Sequence, residues 1–249
     1  MLGSRKPFKR GEDSFLHHQV FFMHDATTKV VPVRPVIRRE VKTVLPSSRG
    51  NFTLLAYSSN IDNEIQIALV RGNPSTATTP VLVRIHSECL TGDLFRSLRC
   101  DCGVQLDAAL EKIASSEHGI LIYLRQEGRS IGLLNKLRAY ELQDAGYDTV
   151  EANEMMGFAA DARDYTIAAL ILKDLGVSNV FLLTNNPNKV NALKSSGITV
   201  ARRISIEISA NPYNIRYLQA KKNKLGHLLH GVTDARDRDE DPNKILEDG

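Results

Sequence analysis

At 249 residues the chain is long enough for one large domain or two small ones, with ample material for a core. A formal net charge of +3, from 32 Lys and Arg against 29 Asp and Glu, carries no overall nucleic-acid signal. No apolar run approaches bilayer-spanning length and the N-terminus lacks the apolar stretch of a signal peptide, so a soluble, cytoplasmic protein with no membrane partner is expected.

Residues 1–42 show no sustained period. Their basic residues Arg5, Lys6, Lys9 and Arg10 are interrupted by Glu12 and Asp13, which favours a mobile extension over a transit peptide. His17, His18 and His24 are given no role. From Thr43 the pattern changes: LPSSRGNFTLLAYSS reads as a strand, Asn60 to Asn63 as a turn and EIQIALVRG as a partner strand. After a Thr-, Ser- and Pro-rich loop, VLVRIH is a third strand. Three strands joined by short turns predict an antiparallel or mixed sheet, with the next segment leaving its end.

That segment holds all three cysteines, Cys89, Cys100 and Cys102, in a C-x10-C-x-C arrangement beside His86, Ser87, Glu88, Asp93, Arg99 and Asp101. Three converging thiols fit an open zinc site whose fourth position is left to water or substrate. The spacing is not a common zinc-finger one, and on spacing alone three buried free thiols are an equal reading. A disulfide is weaker, because Cys100 and Cys102 are too close in sequence and the count is odd.

Beyond Gly103 the period becomes helical. VQLDAALEKIASS places Leu106, Ala109, Leu110 and Ile113 on one face, and GILIYL is a short apolar strand. After the loop QEGRS, the helix IGLLNKLRAYELQDAG sets Leu133, Leu137 and Tyr140 in register and ends at Gly146. DARDYTIAALILKDLG aligns Tyr165, Ala168, Ala169, Leu172 and Leu175. NVFLLT reads as a strand, PNKVNALKSSG as a helix with Pro187 near its start, and ITVARRISI as a strand. Alternating strands and helices predict an α/β (α+β) fold, a mixed sheet with flanking helices. The catalytic domain is expected over 43–230, followed by a charged, disordered tail over 231–249.

HSECLTGD with SLRCDCG, then YLRQEGRSIGLLNKLRAYELQDAGYDTVEAN, GFAADARDY, LLTNNPNKV and NPYNIRYLQAKKNKLGHLL, in that order, closely resemble GTP cyclohydrolase II. That family opens the guanine ring of GTP at the start of riboflavin synthesis. The likeness covers about Leu45 to Leu229 and implies a GTP cyclohydrolase II-like fold, with Cys89, Cys100 and Cys102 as ligands of one zinc per subunit. It further implies GTP as substrate, Mg²⁺ accompanying the substrate phosphates, a homodimer, and the products formate, pyrophosphate and a diaminopyrimidine ribosylamine phosphate. Some relatives carry a dihydroxybutanone phosphate synthase domain ahead of this one, for which the short leader is expected to leave no room.

By the same resemblance Arg84, Ile85, His86, Ser87, Glu88 and Gln105 contact GTP around the zinc ligands. Read from pattern alone, Ile85 is a core strand residue, and Arg84 with Glu88 a surface ion pair. Glu127, Gly128 and Arg129 fall between a strand and a helix, where a helix N-terminus is expected to meet anions. Ser130 stands where many members carry glycine, a substitution expected to be tolerated if that position merely caps the helix. Thr149, Thr184 and Lys189 match further nucleotide contacts. Asp161, Arg163 and Tyr140 match catalytic residues, Asp161 as proton acceptor and Arg163 as the group that attacks the α-phosphorus. Because a guanidinium stays protonated, stabilisation of phosphoryl charge is an equally good role for Arg163. Pattern alone reads Asp161 as a helix N-cap with Arg163 in the first turn, and Tyr140 as a core tyrosine. Lys221, Lys222 and Lys224 read as a solvated helix face. Two rivals remain at this point: a related cyclohydrolase that yields a formamidopyrimidine or serves another pyrimidine pathway, and a non-catalytic zinc module.

Overall fold

The computed structural model describes residues 34–232. The expectations for the basic leader and its histidines lie outside the described residues, as does the expected 231–249 tail except Gly231 and Val232, of which Val232 is buried with Leu218 and Leu229. Seven strands form one mixed sheet: β1 (Ile37–Ser47), β2 (Gly50–Ser59), β3 (Gln66–Arg71), β4 (Val81–Ser87), β5 (Gly119–Leu124), β6 (Asn179–Leu183) and β7 (Thr199–Ile204), in the order β1-β2-β3-β5-β4-β6-β7. The pairs β1/β2, β2/β3 and β3/β5 are antiparallel, whereas β5, β4, β6 and β7 run parallel. The helices are α1 (Leu90–Asp93), α2 (Cys102–Ala114), α3 (Glu127–Ser130), α4 (Gly132–Asp144), α5 (Thr149–Met155), α6 (Thr166–Asp174), α7 (Pro187–Ser195) and α8 (Ile215–Asn223). Among the described residues no helix is long and apolar enough to cross a membrane.

The mixed sheet and the helix positions agree with the expectation, but three details differ. The stretch 45–59 is two strands, because Ser47 to Gly50 closes a hairpin with Gly50 at φ 112°, a conformation that favours glycine. The first strand begins at Ile37, ahead of the expected boundary at 43, and Arg39 bonds its guanidinium to Asp174 at the end of α6. The third expected strand, β4, does not neighbour β3; β5 lies between them.

Side-chain alternation along the strands builds two cores. Val81, Val83 and Ile85 of β4 pack with Ile120 and Ile122 of β5 against Ala168, Ile171 and Leu172 of α6 and Leu193 of α7. On the opposite face Leu121, Phe52 and Leu183 pack against Ala109 and Ile113 of α2. Arg84 and His86 alternate with Val83 and Ile85, so the pleat directs them to the α2 side. A third, smaller core joins Leu218 of α8 to Leu229 and Val232.

Candidate active site

The parallel strands β5, β4 and β6 end at the same edge of the sheet, and successive crossovers run in opposite directions, from β4 through α2 to β5 on one side of it and then from β5 through α6 to β6 on the other. In open α/β sheets, ligands bind in the crevice outside the carboxyl ends of strands at such a switch point. A pocket lies there, lined by segments that follow β4 (Glu88, Cys89), β5 (Gln126 to Arg129) and β6 (Thr184 to Asn186).

The three thiols meet at one end of this pocket. Their sulfurs lie within 4.8 Å of one another, with Cys89 Sγ 3.8 Å from Cys100 Sγ. The α1 and α2 backbones achieve this by touching at glycines: a Cβ on Gly103 would stand 2.1 Å from the Gly92 carbonyl oxygen, and one on Gly92 would stand 2.9 Å from Cys100 Sγ. Hydrogen bonds from the Cys100 and Cys102 thiols, helped by Lys136, hold Cys89 far below the usual thiol range despite burial. The remaining protons are held more tightly: against an opposing bond with Cys102, the hydrogen bond to Cys89, followed by burial and the Cys89 charge, raises Cys100 to about 11. One thiolate and two retained protons describe a donor set that a soft dication would complete by displacing both protons. The residues present therefore fit zinc.

Around the sulfurs the polar groups are held in place. Lys136 Nζ lies 3.1 Å from Cys89 Sγ and 2.8 Å from Glu127 Oε1, while Glu127 Oε2 accepts from Leu90 N at 2.6 Å. Asp93 accepts from Tyr123 OH and Cys89 N and meets His86 Nε2 at 3.0 Å. Burial lowers the His86 pKa in spite of that carboxylate. Tyr140 OH sits 3.1 Å from Thr91 Oγ1, and Lys136 and Arg99 flank its ring.

The same pocket also has a cationic lining. Arg84, only 5 % exposed, donates to Leu183 O and to Gln105 Oε1. Gln105 in turn donates to Asp101, which also accepts from Lys221 Nζ at 2.6 Å. Lys189 Nζ has the Ile85 carbonyl at 2.8 Å, and burial with the nearby Arg84, Arg163 and Lys221 charges pushes its pKa well down. Arg163 forks onto Asp161 at 2.8 and 2.6 Å. Burial opposes that carboxylate's charge, yet Arg163, with Arg129 adding to it, holds Asp161 below the usual range.

Among the described residues, the buried side-chain atoms without a hydrogen-bond partner are Arg84 Nε, His86 Nδ1, Arg129 NH2, Asn185 Nδ2 and His227 Nδ1. All five residues line this one pocket. Buried polar groups are ordinarily paired, so their concentration here marks a place shaped for a polar ligand.

Most residues expected from the sequence converge here: Arg84, His86, Ser87, Glu88, Gln105, Glu127, Gly128, Arg129, Tyr140, Thr149, Arg163, Thr184, Lys189 and the three cysteines line the pocket. Ile85 does not; its side chain is fully buried in the core, and only its carbonyl meets Lys189. Asp161 reaches the site through Arg163. Arg84 and Glu88 form no ion pair with each other, since Glu88 takes Arg125 at 2.9 Å.

Four local expectations are corrected. Gly128 and Arg129 both have φ 63° and Ser130 φ 73°, so Glu127 to Ser130 is a left-handed turn rather than a helix N-terminus, and Ser130 caps nothing. The N-cap position of α4 belongs to Ile131. Asp161 and Arg163 precede α6 in an Asx turn, with Arg163 N bonded to Asp161 Oδ1, and Asp164 bonds the Thr166 N-H at the helix start. The lysines of α8 are not a solvated face: Lys221 reaches Asp101, Lys222 the Val232 carbonyl, and Lys224 both Asp148 and Glu151. Lys136, Asn185, Tyr217, Lys221 and His227 also line the pocket without having been expected to. Lys136 had a sequence signal, a lysine one turn before Tyr140 in a helix otherwise read as apolar on that side.

The GTP cyclohydrolase II family model matches residues 38–205. Riboflavin biosynthesis protein RibBA of Bacillus subtilis (strain 168) is 54 % identical over 195 residues, 78 % of this chain and 49 % of its own. The protein of the same name from Bacillus cereus (strain AH187) is 56 % identical over 195 residues, with the same two shares. The chain thus spans about half the length of the curated relatives it matches. RibBX, a two domain 3,4-dihydroxy-2-butanone 4-phosphate synthase from A. baumannii, aligns with a TM-score of 0.41 at 22 % identity, over 70 % of this chain and 40 % of its own.

Proposed function

The chain belongs to the GTP cyclohydrolase II family, and from that premise we propose that it hydrolyses GTP to a diaminopyrimidine ribosylamine phosphate, formate and pyrophosphate, opening riboflavin synthesis in the cytoplasm. The observation that carries the reading is the coincidence, in one pocket at the switch point, of a three-thiol cluster, a cationic lining and the buried unpartnered polar atoms.

Cys89, Cys100 and Cys102 would hold zinc, which when bound supplies Lewis acidity and an activated water at neutral pH. Everything else falls to the chain. Glu127, by fixing both Leu90 N and Lys136, holds the Cys89 segment against the turn after β5. Tyr140, held by Thr91, presents a hydroxyl beside the sulfurs for proton transfer as the imidazole ring opens and formate departs. Arg84, Arg163 and Lys221 give the pocket positive charge for a polyphosphate, which would also favour the protonated form of Lys189, and Mg²⁺ accompanies those phosphates. Arg163 acts as a fixed cation on the phosphoryl group. Its doubly bonded guanidinium has its pKa raised by Asp161 in spite of burial, which favours charge stabilisation over nucleophilic attack. The active form is a homodimer, to which the exposed Leu133, Leu134 and Leu137 of α4 offer an apolar face.

The test is to incubate the zinc-assayed protein with GTP and Mg²⁺ and to quantify formate, pyrophosphate and the pyrimidine together. Equal yields are expected. Pyrophosphate without formate would replace this reading with the formamidopyrimidine chemistry, and no product from zinc-loaded protein would remove the enzyme assignment.

A further inference from the structure

His227 lies beyond the residues the family model matches, in the segment that follows α8, yet its imidazole lines the pocket. The segment is pinned on both sides of it. His227 N donates to Lys221 O at 3.0 Å and Leu228 N to Asn185 O at 2.9 Å, while Glu207 accepts from His230 N at 2.7 Å and Gly231 N at 3.2 Å. Leu229 and Val232 are buried against Leu218. The strap from Lys224 to Val232 is therefore a fixed wall of the site, and it holds one polar side chain against the pocket.

That side chain is incomplete. Its Nδ1 is buried without a hydrogen-bond partner, a condition that costs stability unless something supplies the bond. Burial, reinforced by the charges of Lys221 on α8, Arg163 before α6, Lys189 on α7 and Arg129 after β5, keeps the ring neutral, with its pKa down at about 3. A neutral imidazole among four cations adds a hydrogen bond without adding to their mutual repulsion.

We infer that His227 is a substrate-contacting residue, its Nδ1-H donating to a phosphate oxygen of the bound nucleoside triphosphate, and that the Lys224–Val232 strap is what delivers it. The inference rests on the proposed reading of the pocket as a triphosphate site. It deepens that reading by assigning the triphosphate a neutral donor from outside the matched segment.

The test uses the full, zinc-loaded chain with His227→Ala, His227→Asn and His227→Gln. An asparagine amide nitrogen falls near the imidazole Nδ1 position and a glutamine amide nearer Nε2. Kd for a non-hydrolysable GTP analogue, and KM and kcat for GTP, are measured for each variant. The alanine and glutamine variants are expected to weaken analogue binding and raise KM about tenfold with kcat within about threefold, and the asparagine variant to stay within about threefold of the parent throughout. Parent-like binding by His227→Ala would overturn the inference, as would rescue by glutamine but not by asparagine. A loss confined to kcat would also overturn it. Should the alanine variant fail to fold, the asparagine and glutamine pair decides alone. A parent protein that neither binds nor turns over GTP would instead sink the reading of the pocket.

Discussion

Lys136 places its ammonium 3.1 Å from Cys89 Sγ and 2.8 Å from Glu127 Oε1, so one buried cation is shared between the thiol cluster and the turn after β5. Burial works against the Lys136 charge, but Cys89, Tyr140 and Glu127 raise its pKa above the usual lysine value. A raised lysine contributes stability that is complete below the unfolded value of about 10.4 and is lost only as pH rises through the higher folded value. The Cys89 shift is downward, so its contribution is present above the ordinary thiol value and is lost as pH falls toward the folded one. Across neutral pH both partners are therefore charged.

Lys136→Met removes one member of this buried pair and leaves a thiolate and a carboxylate without their cation. Breaking such a pair costs about 3 kcal/mol. Urea unfolding of the chelator-treated variant at pH 7 should show that loss. A change below about 1 kcal/mol would mean that Cys89 is not a buried thiolate.

Ser130 follows two left-handed residues and is itself at φ 73°. A non-glycine residue there costs about 1 to 2 kcal/mol, while glycine loses about 0.5 to 1 kcal/mol in unfolded-state entropy. Ser130→Gly should therefore stabilise the protein by about 0.5 to 1 kcal/mol, read as a rise in Tm. Gly128→Ala should do the opposite, because its Cβ would meet Ile131 and Lys136 side-chain atoms at 3.0 and 3.1 Å in an already left-handed residue. If both variants melt like the parent, the turn is not the strained element described.

These two sites show what the sequence could and could not convey. The strands, the helical stripe of α6 and the convergence of Cys89, Cys100 and Cys102 were legible, since periodicity and short motifs encode them locally. The left-handed run at Gly128 to Ser130 was not: only Gly128 advertises a positive φ, while Arg129 is bonded to the distant Ala160 carbonyl and Ser130 N to Gln126 O. The stripe of α4 was misread for a related reason. Leu133, Leu137 and Tyr140 have the spacing of a core face, yet Leu133 and Leu137 are exposed and the structure buries Lys136 and Ala139, with Lys136 reaching Cys89 and Glu127. Asn185, Lys221 and His227 were missed because their places depend on pairings between distant segments, which no local pattern records.

Asp161 and Arg163 bind each other through both carboxylate oxygens, and Asp161 titrates below its ordinary range because Arg163 and Arg129 outweigh burial. A depressed carboxyl gives stability that is present above its unfolded value of about 3.9 and lost as pH falls through the folded one. Its acidic limb in any activity profile should lie below about pH 4. A break between pH 5 and 8 that survives in Asp161→Asn therefore belongs to another group. The variant itself should lower formate release by about 100-fold through loss of the carboxylate and of its hold on Arg163. A parent-like rate would remove Asp161 from the site.

Gly92 offers the sharpest test of the thiol cluster. A Cβ there would stand 2.9 Å from Cys100 Sγ, 3.1 Å from Cys89 Sγ and 3.1 Å from Cys102 Cβ, and the backbone cannot retreat because Gly92 O already lies where a Gly103 side chain would be. The methyl group must push sulfurs apart in a site where ligand distances tolerate only about 0.2 Å. Gly92→Ala should therefore lose zinc to a competing chelator at least about tenfold more readily than the parent, with formate release falling in step, and overpacking should cost about 1 to 3 kcal/mol of stability. Gly132→Ala supplies the control. That residue is at φ 81° with nothing within 4 Å of an added Cβ, so it should lose stability through backbone strain while keeping its zinc. Parent-like zinc retention in Gly92→Ala, or equal zinc loss in both variants, would separate the metal from the three sulfurs and leave the cluster as buried thiols.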